Sequence, residues 1–231
     1  MKKFSKDVSV IFPAYNEEDN IELCVTRAQD ALKVMLKSFE IIIVNDGSVD
    51  STGRISKMLQ DKYSNIKVVS KKKNEGYGYA IRDGIKSATC DLVFFSDSDM
   101  QFDIRNLENL LEHADNHDIV VGYRKKRLDP LKRKFFSTGY NTLVRILFGI
   151  SFKDINCAFK LFHRRIFDKI KIESQNYVVN AEILTKARIL GFTVKEVGVS
   201  HFPRNKGKSK IKFNDTQKTI KEVIKLYRAI K

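Results

Sequence analysis

Cys90-Asp91-Leu92-Val93-Phe94-Phe95-Ser96-Asp97-Ser98-Asp99-Met100-Gln101 is an apolar run that stops at two carboxylates one residue apart. Leu92–Phe95 has the unbroken apolar character of a strand covered on both faces, as in a parallel sheet. Asp97 and Asp99 then fall where the strand leaves the sheet. In open α/β sheets, ligands bind in the crevice outside the carboxyl ends of the strands. Two carboxylates on such a rim suit Mg²⁺ or Mn²⁺, hard cations that take oxygen ligands and share them with substrate phosphates. Alone, Asp-x-Asp reads equally well as two solvated acids in a turn. Its neighbours carry the argument further.

Upstream, Val8–Pro13 predicts a first buried strand stopped by proline. Asn16–Asn20 predicts the opening of a helix with acids in its first turn and Ile21, Val25, Ala28 and Leu32 as its apolar stripe. Phe39–Val44 predicts a second strand, ending in the turn Asn45-Asp46-Gly47-Ser48. A capped helix with Ile55, Met58 and Leu59 follows. Ile66–Val69 predicts a third strand, Asn74–Gly78 a loop and Ala80–Ala88 a helix. This alternation argues for βαβ units and a parallel sheet, an α/β fold.

Downstream, Asp118–Gly122, Ala158–Phe162 and Thr193–Val199 predict strands, and Ala181–Leu190 a helix. Arg124–Lys134 is strongly basic. Phe136–Phe148 predicts an amphipathic helix, with Leu143, Ile146, Leu147 and Phe148 suited to a membrane interface or an acceptor. Arg204–Lys210 is a basic loop. The tail predicts a helix with Ile220, Val223, Ile224 and Tyr227 on one face, expected to pack on the sheet.

At 231 residues the chain can bury one substantial core. Its 42% hydrophobic and 31% charged residues are ordinary for a globular protein. The net charge of +15 is not, and implies an acidic partner: nucleic acid, an anionic lipid surface or phosphorylated substrates. Three scattered cysteines, Cys24, Cys90 and Cys157, lack metal-ligand spacing and fit a reduced, cytoplasmic protein. No signal peptide is visible, and no apolar run approaches the roughly 18 residues of a transmembrane span.

The four strand ends would share one edge of the sheet. That edge would offer Tyr15 to contact a base, Glu17 and Asp46 to accept hydrogen bonds from base or ribose, and Asp97 and Asp99 to hold a metal for a diphosphate. Gly76-Tyr77-Gly78 is not a dinucleotide fingerprint, because that motif sits between the first strand and helix and here the first strand ends in Pro13.

Val8–Ile21 (VSVIFPAYNEEDNI), Glu40–Thr52 (EIIIVNDGSVDST) and Asp97–Gln101 resemble family 2 glycosyltransferases of the GT-A fold. Asp118–Arg124, Asp154–Lys160 and Arg204–Lys210 are similar to the polyprenyl-phosphate (dolichyl-phosphate) sugar transferase subgroup. The resemblance spans roughly residues 7–212 and implies a single GT-A domain over 1–231. Within it, about 7–117 would form the nucleotide-sugar half and about 118–212 the acceptor half, with an amphipathic helix over 213–231. It implies that Pro13, Ala14, Tyr15, Glu17, Val44, Asp46, Asn74, Asp97 and Ser98 bind the nucleotide sugar. Asp97 and Asp99, with Gln101, would hold Mg²⁺ or Mn²⁺. Arg124, Arg133 and Ser137 would grip the lipid phosphate, and Arg204 and Lys210 would close over phosphates. Asn45 and Ala158 depart from the Asp and Gly that the family often carries. Many relatives also carry C-terminal transmembrane helices.

The reaction so implied is inverting transfer of a hexose from GDP-mannose or UDP-glucose to a polyprenyl or dolichyl phosphate. It would take place at the cytoplasmic face of an anionic membrane, with a membrane-protein partner as one way to replace an anchor. Such a nucleophile is already ionised and needs no strong base. The demand falls on bringing two anions together, which suits arginine. Asp154 is the candidate for a carboxylate near the acceptor, with a structural loop acid as the alternative. Three rivals stand beside this reading. One is a nucleic-acid-binding protein, disfavoured because no groove-reading helix or stacking aromatics accompany the basic residues. Another is transfer to a saccharide hydroxyl in polysaccharide or glycan synthesis. The third is a non-catalytic relative, against which the intact Asp97 and Asp99 argue.

Overall fold

The computed structural model describes residues 2–125, 131–204, 206–207 and 215–230, with the side chains of 131–137 and 215–217 outside the description. In chain order the elements are Phe4–Ala14 (β1), Ile21–Met35 (α1), Leu36–Asn45 (β2), Thr52–Lys62 (α2), Ile66–Ser70 (β3), Tyr77–Ser87 (α3), Leu92–Ser96 (β4) and Leu107–Leu111 (α4). Then come Ile119–Arg124 (β5), Leu131–Phe148 (α5), Phe159–His163 (β6), Ile166–Lys169 (α6), Val179–Ile189 (α7), Val194–Val199 (β7) and Asp215–Ile230 (α8).

The strands form one continuous seven-stranded sheet in the order β3-β2-β1-β4-β6-β5-β7. Only β6 runs antiparallel to its neighbours; the other pairings are parallel. The chain steps outward from β1 through β2 to β3, then returns to place β4 on the opposite side of β1. The order therefore reverses between β1 and β4, and a crevice opens at their carboxyl ends.

Successive strand residues point to opposite faces. Ile11, Ile42, Val44, Val93 and Phe95 face one core, under α3, α5, α7 and α8. Val10, Phe12, Ile41, Ile43 and Phe94 face the other, under α1, α2 and α4. Burial on both sides explains the unbroken apolar runs. A fully buried Val/Leu/Ile/Phe side chain contributes about 1.5–3 kcal/mol relative to its exposed state.

Several expectations shift in the structure. The acids Glu17, Glu18 and Asp19 precede α1 rather than open it. Asn16 adopts a left-handed φ of 53°, and Asn20 and Ile21 N–H both donate to Glu17 O, a tight turn that delays the helix to Ile21. Helix α3 begins three residues early, at Tyr77. Gly78 N–H donates to Gln175 O at 2.8 Å, and a Cβ on Gly78 would lie 2.1 Å from Ser174 O. The Gly-Tyr-Gly stretch therefore serves a close backbone approach between the two halves of the chain.

The helix expected at an interface or acceptor packs instead. Val144 and Phe148 are buried, and Tyr140, Leu143 and Leu147 lean on the same core. Ile146 alone of the four residues singled out there is well exposed, at 73%. The tail packs through Val223, Leu226 and Tyr227, while Ile220 and Ile224 face outward. Its buried stripe is thus rotated from the one expected, because α8 must meet α5; Phe148 and Tyr227 stack edge to face at 5.9 Å.

Candidate functional site

The rim is built by cross-ties between strand ends. Ala14 and Asn45 pair in register, as do Asn45 and Ser70. Asp46 N–H donates to Ala14 O, and Lys71 N–H to Asn45 O, each at 2.9 Å. Asn45 Oδ1 accepts from Ser48 N–H at 3.1 Å, so an amide carries out the turn-closing task of the more usual aspartate. Across the crevice, Ser98 Oγ donates to Pro13 O at 2.9 Å, joining the ends of β1 and β4.

Asp97 and Asp99 sit at that junction. Burial and the neighbouring Asp99 charge push Asp97 up to about 7. Tyr77 lies beside it, and burial plus the Asp97 carboxylate hold its phenol well above the ordinary range. Asp99 Oδ1 accepts from Gln101 N–H at 3.1 Å across Met100, whose φ is 62°. A non-glycine residue in that region is backbone strain of the kind that collects at functional corners.

The same corner delivers Arg204. Phe102 and His201 form a β-bridge, Phe202 N–H donates to Gln101 O at 2.9 Å, and Gln101 Nε2 donates to Phe202 O at 3.1 Å. Arg204 then places Nη2 at 2.7 and 2.5 Å from the two Glu17 oxygens, and Nη1 3.5 Å from Asp99 Oδ2.

Together these elements enclose a cavity of about 930 Å³, at the upper end of the range for small-molecule sites. Pro13, Ala14, Tyr15, Glu17, Asp46, Asn74, Asp97, Ser98, Asp99, Gln101 and Arg204 all line it. Two of them are less available to a ligand than expected. Glu17 is taken up by Arg204 and by Asn20 Nδ2, at 2.8 Å. Asp46 accepts Glu75 N–H at 3.0 Å and Gly76 N–H at 2.9 Å and faces Lys71 at 3.6 Å, so it organises the Asn74 loop.

Other expected site residues do not reach the cavity wall. Val44 is fully buried in the core. Arg124 and Asp154 pair with each other at 2.6 and 2.8 Å, with side chains only 7% and 5% exposed. Neither lines the cavity; the residues expected to grip the acceptor phosphate and to supply an acid near the acceptor form a buried ion pair with each other. Arg133 and Ser137 lie on the first turns of α5 with side chains outside the described residues, as does Lys210 altogether.

The site also contains residues the sequence reading passed over. Tyr77, Gln175, Asn176, Tyr177, Lys218, Thr219, Lys221 and Glu222 form its second wall. Tyr77 stacks on Tyr177 at 5.4 Å, and Asn176 Nδ2 donates to Glu222 Oε1 at 2.7 Å. The polar Gln175-Asn176 pair and the Gly76-Tyr77-Gly78 stretch were the available signals. Lys160 was another, a cation inside an apolar strand. It is fully buried, donates to Ile155 O at 3.0 Å, to Asn180 Oδ1 at 2.7 Å and to Cys157 O, and is pushed down to about 8 by burial. It pins the 154–158 loop to α7.

The donor set fits a divalent ion held by few protein ligands. Burial, and then the neighbouring Asp99 charge, favour a retained proton on Asp97, a penalty that a cation relieves. The Gln101 amide nitrogen is spent on Phe202 O, which leaves its carbonyl as an oxygen donor. Among the described residues no group of three or more His, Cys, Asp or Glu gathers for a metal.

Comparison with known proteins agrees with this architecture. A family model described as "Glycosyl transferase family 2" matches residues 9–171. Glycosyltransferase AglD of Haloferax volcanii is 32% identical over 215 residues, 89% of this chain and 34% of that protein. An undecaprenyl-phosphate 4-deoxy-4-formamido-L-arabinose transferase of Pectobacterium atrosepticum is 31% identical over 211 residues, 90% of this chain and 63% of that protein. The chain thus spans about a third of one curated relative and under two thirds of the other. Among solved structures, glucosyl-3-phosphoglycerate synthase of Mycobacterium tuberculosis, crystallised with Mn²⁺, UDP and phosphoglyceric acid, aligns with a TM-score of 0.75. It is 17% identical and covers 96% of this chain and 78% of its own, a likeness of GT-A fold. By the family model, which matches residues 9–171, the chain belongs to glycosyl transferase family 2.

Proposed function

We propose that this protein transfers a hexose from a nucleotide sugar, GDP-mannose or UDP-glucose, to a polyprenyl phosphate, with inversion at the anomeric carbon. The observation that carries the reading is the Asp97–Asp99 pair. It lies at the switch point of the sheet, with Arg204 3.5 Å from Asp99, and lines a cavity large enough for a sugar nucleotide. The printed name of the Pectobacterium relative, an undecaprenyl-phosphate sugar transferase, supports the acceptor class. The continuous sheet supports one catalytic unit across residues 1–231.

In this account Tyr15 and Asn74 receive the nucleoside, and Pro13 and Ala14 form the floor beneath it. Asp97 and Asp99, with Gln101, would hold Mg²⁺ or Mn²⁺, which as a Lewis acid would stabilise the leaving diphosphate. A phosphate oxygen of the acceptor attacks C1, the C1–O bond to the diphosphate breaks, and the nucleoside diphosphate departs. The acceptor oxygen is already ionised, so no side chain must take its proton. Arg204 lines the cavity, where exchanging Glu17 for a phosphate would bring its charge onto the substrate. Positioning and fixed charge supply the rate.

Association with an anionic lipid surface is part of the proposal. It is supported by the +15 net charge and by the exposed Ile146 beside Arg145. Among the described residues no helix is long and apolar enough to cross a membrane. One observation favours a second reading, transfer to a saccharide hydroxyl: Arg124 is bound to Asp154 rather than free for a phosphate.

The test is nucleoside diphosphate release from GDP- and UDP-sugars with Mg²⁺ or Mn²⁺, with and without polyprenyl phosphate. Release from one donor that needs both metal and lipid supports the proposal. Release indifferent to the lipid transfers the case to the hydroxyl acceptor.

A further inference from the structure

Among the described residues, five carboxylates line the cavity, Glu17, Asp46, Asp97, Asp99 and Glu222, against three cations, Arg204, Lys218 and Lys221. The reaction proposed above brings a diphosphate and a phosphomonoester into this space. Each is a multiply charged anion, and the local balance opposes both. A divalent ion offsets only part of that. Arg204 is engaged by Glu17 and lies near Asp99. Arg124, the cation expected at the acceptor phosphate, is sealed against Asp154.

Among the described residues that line the cavity, two further cations are left, both on α8. Among the described residues, no ion pair engages Lys218 or Lys221. The roll of α8 is set by three contacts. Val223 and Leu226 bury in the core, Tyr227 meets Phe148, and Glu222 is tied to Asn176 on the cavity wall. Lys218 precedes Glu222 by one turn, and Lys218 and Lys221 both line the cavity, which Lys225 does not. Exposed lysines keep their hydration and act as mobile point charges, suited to a phosphate that enters and leaves.

We infer that Lys218 and Lys221 form a phosphate-binding subsite, which brings the C-terminal helix into the substrate-binding machinery. The inference rests on the proposed function. The ligand is a phosphate group, carried either by the nucleoside diphosphate or by the lipid acceptor, and the experiment separates the two.

The variants are K218Q/K221Q, its charge-preserving counterpart K218R/K221R, and K225Q as a same-helix control off the cavity wall. Binding of UDP and of GDP with Mn²⁺ is measured by calorimetry. Transfer kinetics are measured with polyprenyl phosphate in neutral detergent micelles, then on anionic vesicles. About tenfold weaker nucleotide binding in K218Q/K221Q assigns the lysines to the diphosphate. Unchanged nucleotide binding with about a tenfold higher KM for lipid in neutral micelles assigns them to the acceptor. In either case K218R/K221R restores the wild-type value and K225Q retains it. The subsite is overturned if both quantities are unchanged in neutral micelles, including the case in which a defect emerges only on anionic vesicles, or if K225Q loses as much. A wild type that transfers sugar while K218Q/K221Q behaves normally defeats this inference alone. A wild type that binds neither nucleotide defeats it together with the proposed function. A wild type that binds nucleotide without transferring sugar defeats the acceptor assignment and leaves the calorimetry to decide.

Discussion

The two walls of the cavity are built differently. The β1–β4 wall comes from strand ends that share one rim, tied by backbone hydrogen bonds of about 2.9 Å. The opposite wall comes from the 174–177 loop and α8, held by side-chain contacts between segments far apart in the chain: Tyr77 on Tyr177, and Asn176 on Glu222. On the first wall, the position of a residue after its strand determines where it goes. On the second, packing between helices determines it.

The largest effect expected from this contrast is at Asp99. Asp99→Ala removes a rim carboxylate without disturbing either core. Sugar transfer is expected to fall by about a thousandfold, while the circular dichroism spectrum and melting temperature stay near wild type. A drop of only severalfold would mean that the rim is not the chemical centre.

The buried Arg124–Asp154 tie comes next. Removing one partner leaves an unpaired buried charge and costs about 3–5 kcal/mol, measured by denaturant unfolding of Arg124→Ala and Asp154→Ala. Arg124→Met/Asp154→Leu should recover much of that loss. An Arg124→Ala variant of normal stability with an acceptor-specific defect would return Arg124 to the phosphate role expected from the sequence.

Gly78 tests the seam between the walls. Gly78→Ala drives a Cβ toward the Ser174 carbonyl and should cost about 1–3 kcal/mol. The loss should appear as a lower midpoint in urea. An unchanged midpoint would show the 174–177 loop to be free of α3.

A smaller effect is expected from pH. Asp97 is held up at about 7 by burial and Asp99. Below that pH the pair keeps a proton, which a divalent ion must displace. Mn²⁺ affinity should therefore fall as pH drops below about 7, approaching tenfold per unit for one displaced proton, and level off above it. Affinity independent of pH between 5.5 and 8 would remove Asp97 from the ligand set.

The smallest effect is at Ile146. Ile146→Ser should change stability by about 0.5 kcal/mol or less and leave transfer in neutral micelles unaltered, while weakening co-sedimentation with anionic vesicles a fewfold. Unaltered co-sedimentation would remove α5 from the lipid-binding surface.

The same contrast explains what was legible in the sequence. Leu92–Ser96 and Ile41–Val44 announce buried parallel strands because both faces of the sheet are covered, and Pro13, Asn45-Asp46 and Asp97-Ser98-Asp99 mark where they end. Eleven of the expected site residues line the cavity, most of them placed by that logic, with Gln101 and Arg204 named only through the family resemblance. The tie between Arg124 and Asp154 spans 30 residues and has no local signature. Lys160 stands out locally as a cation inside an apolar strand, but its partners, carbonyls of a loop and Asn180 of a helix, do not. The short helices α4 and α6 carry too few turns for a periodic pattern. The rotated stripe of α8 was misjudged because Ile220 and Ile224 fit the helical period as well as Val223 and Leu226 do. Only the position of α5 decides between them.

The central claim is that Asp97 and Asp99 hold a divalent ion together with a nucleoside diphosphate. Titration of Mn²⁺ into the protein by electron paramagnetic resonance, with and without UDP or GDP, tests it most directly. The account predicts one bound Mn²⁺ per chain, tighter binding with one of the two nucleotides, and loss of both in Asp99→Ala. Nucleotide binding that is unaffected by removal of Mn²⁺ and by Asp99→Ala would contradict it.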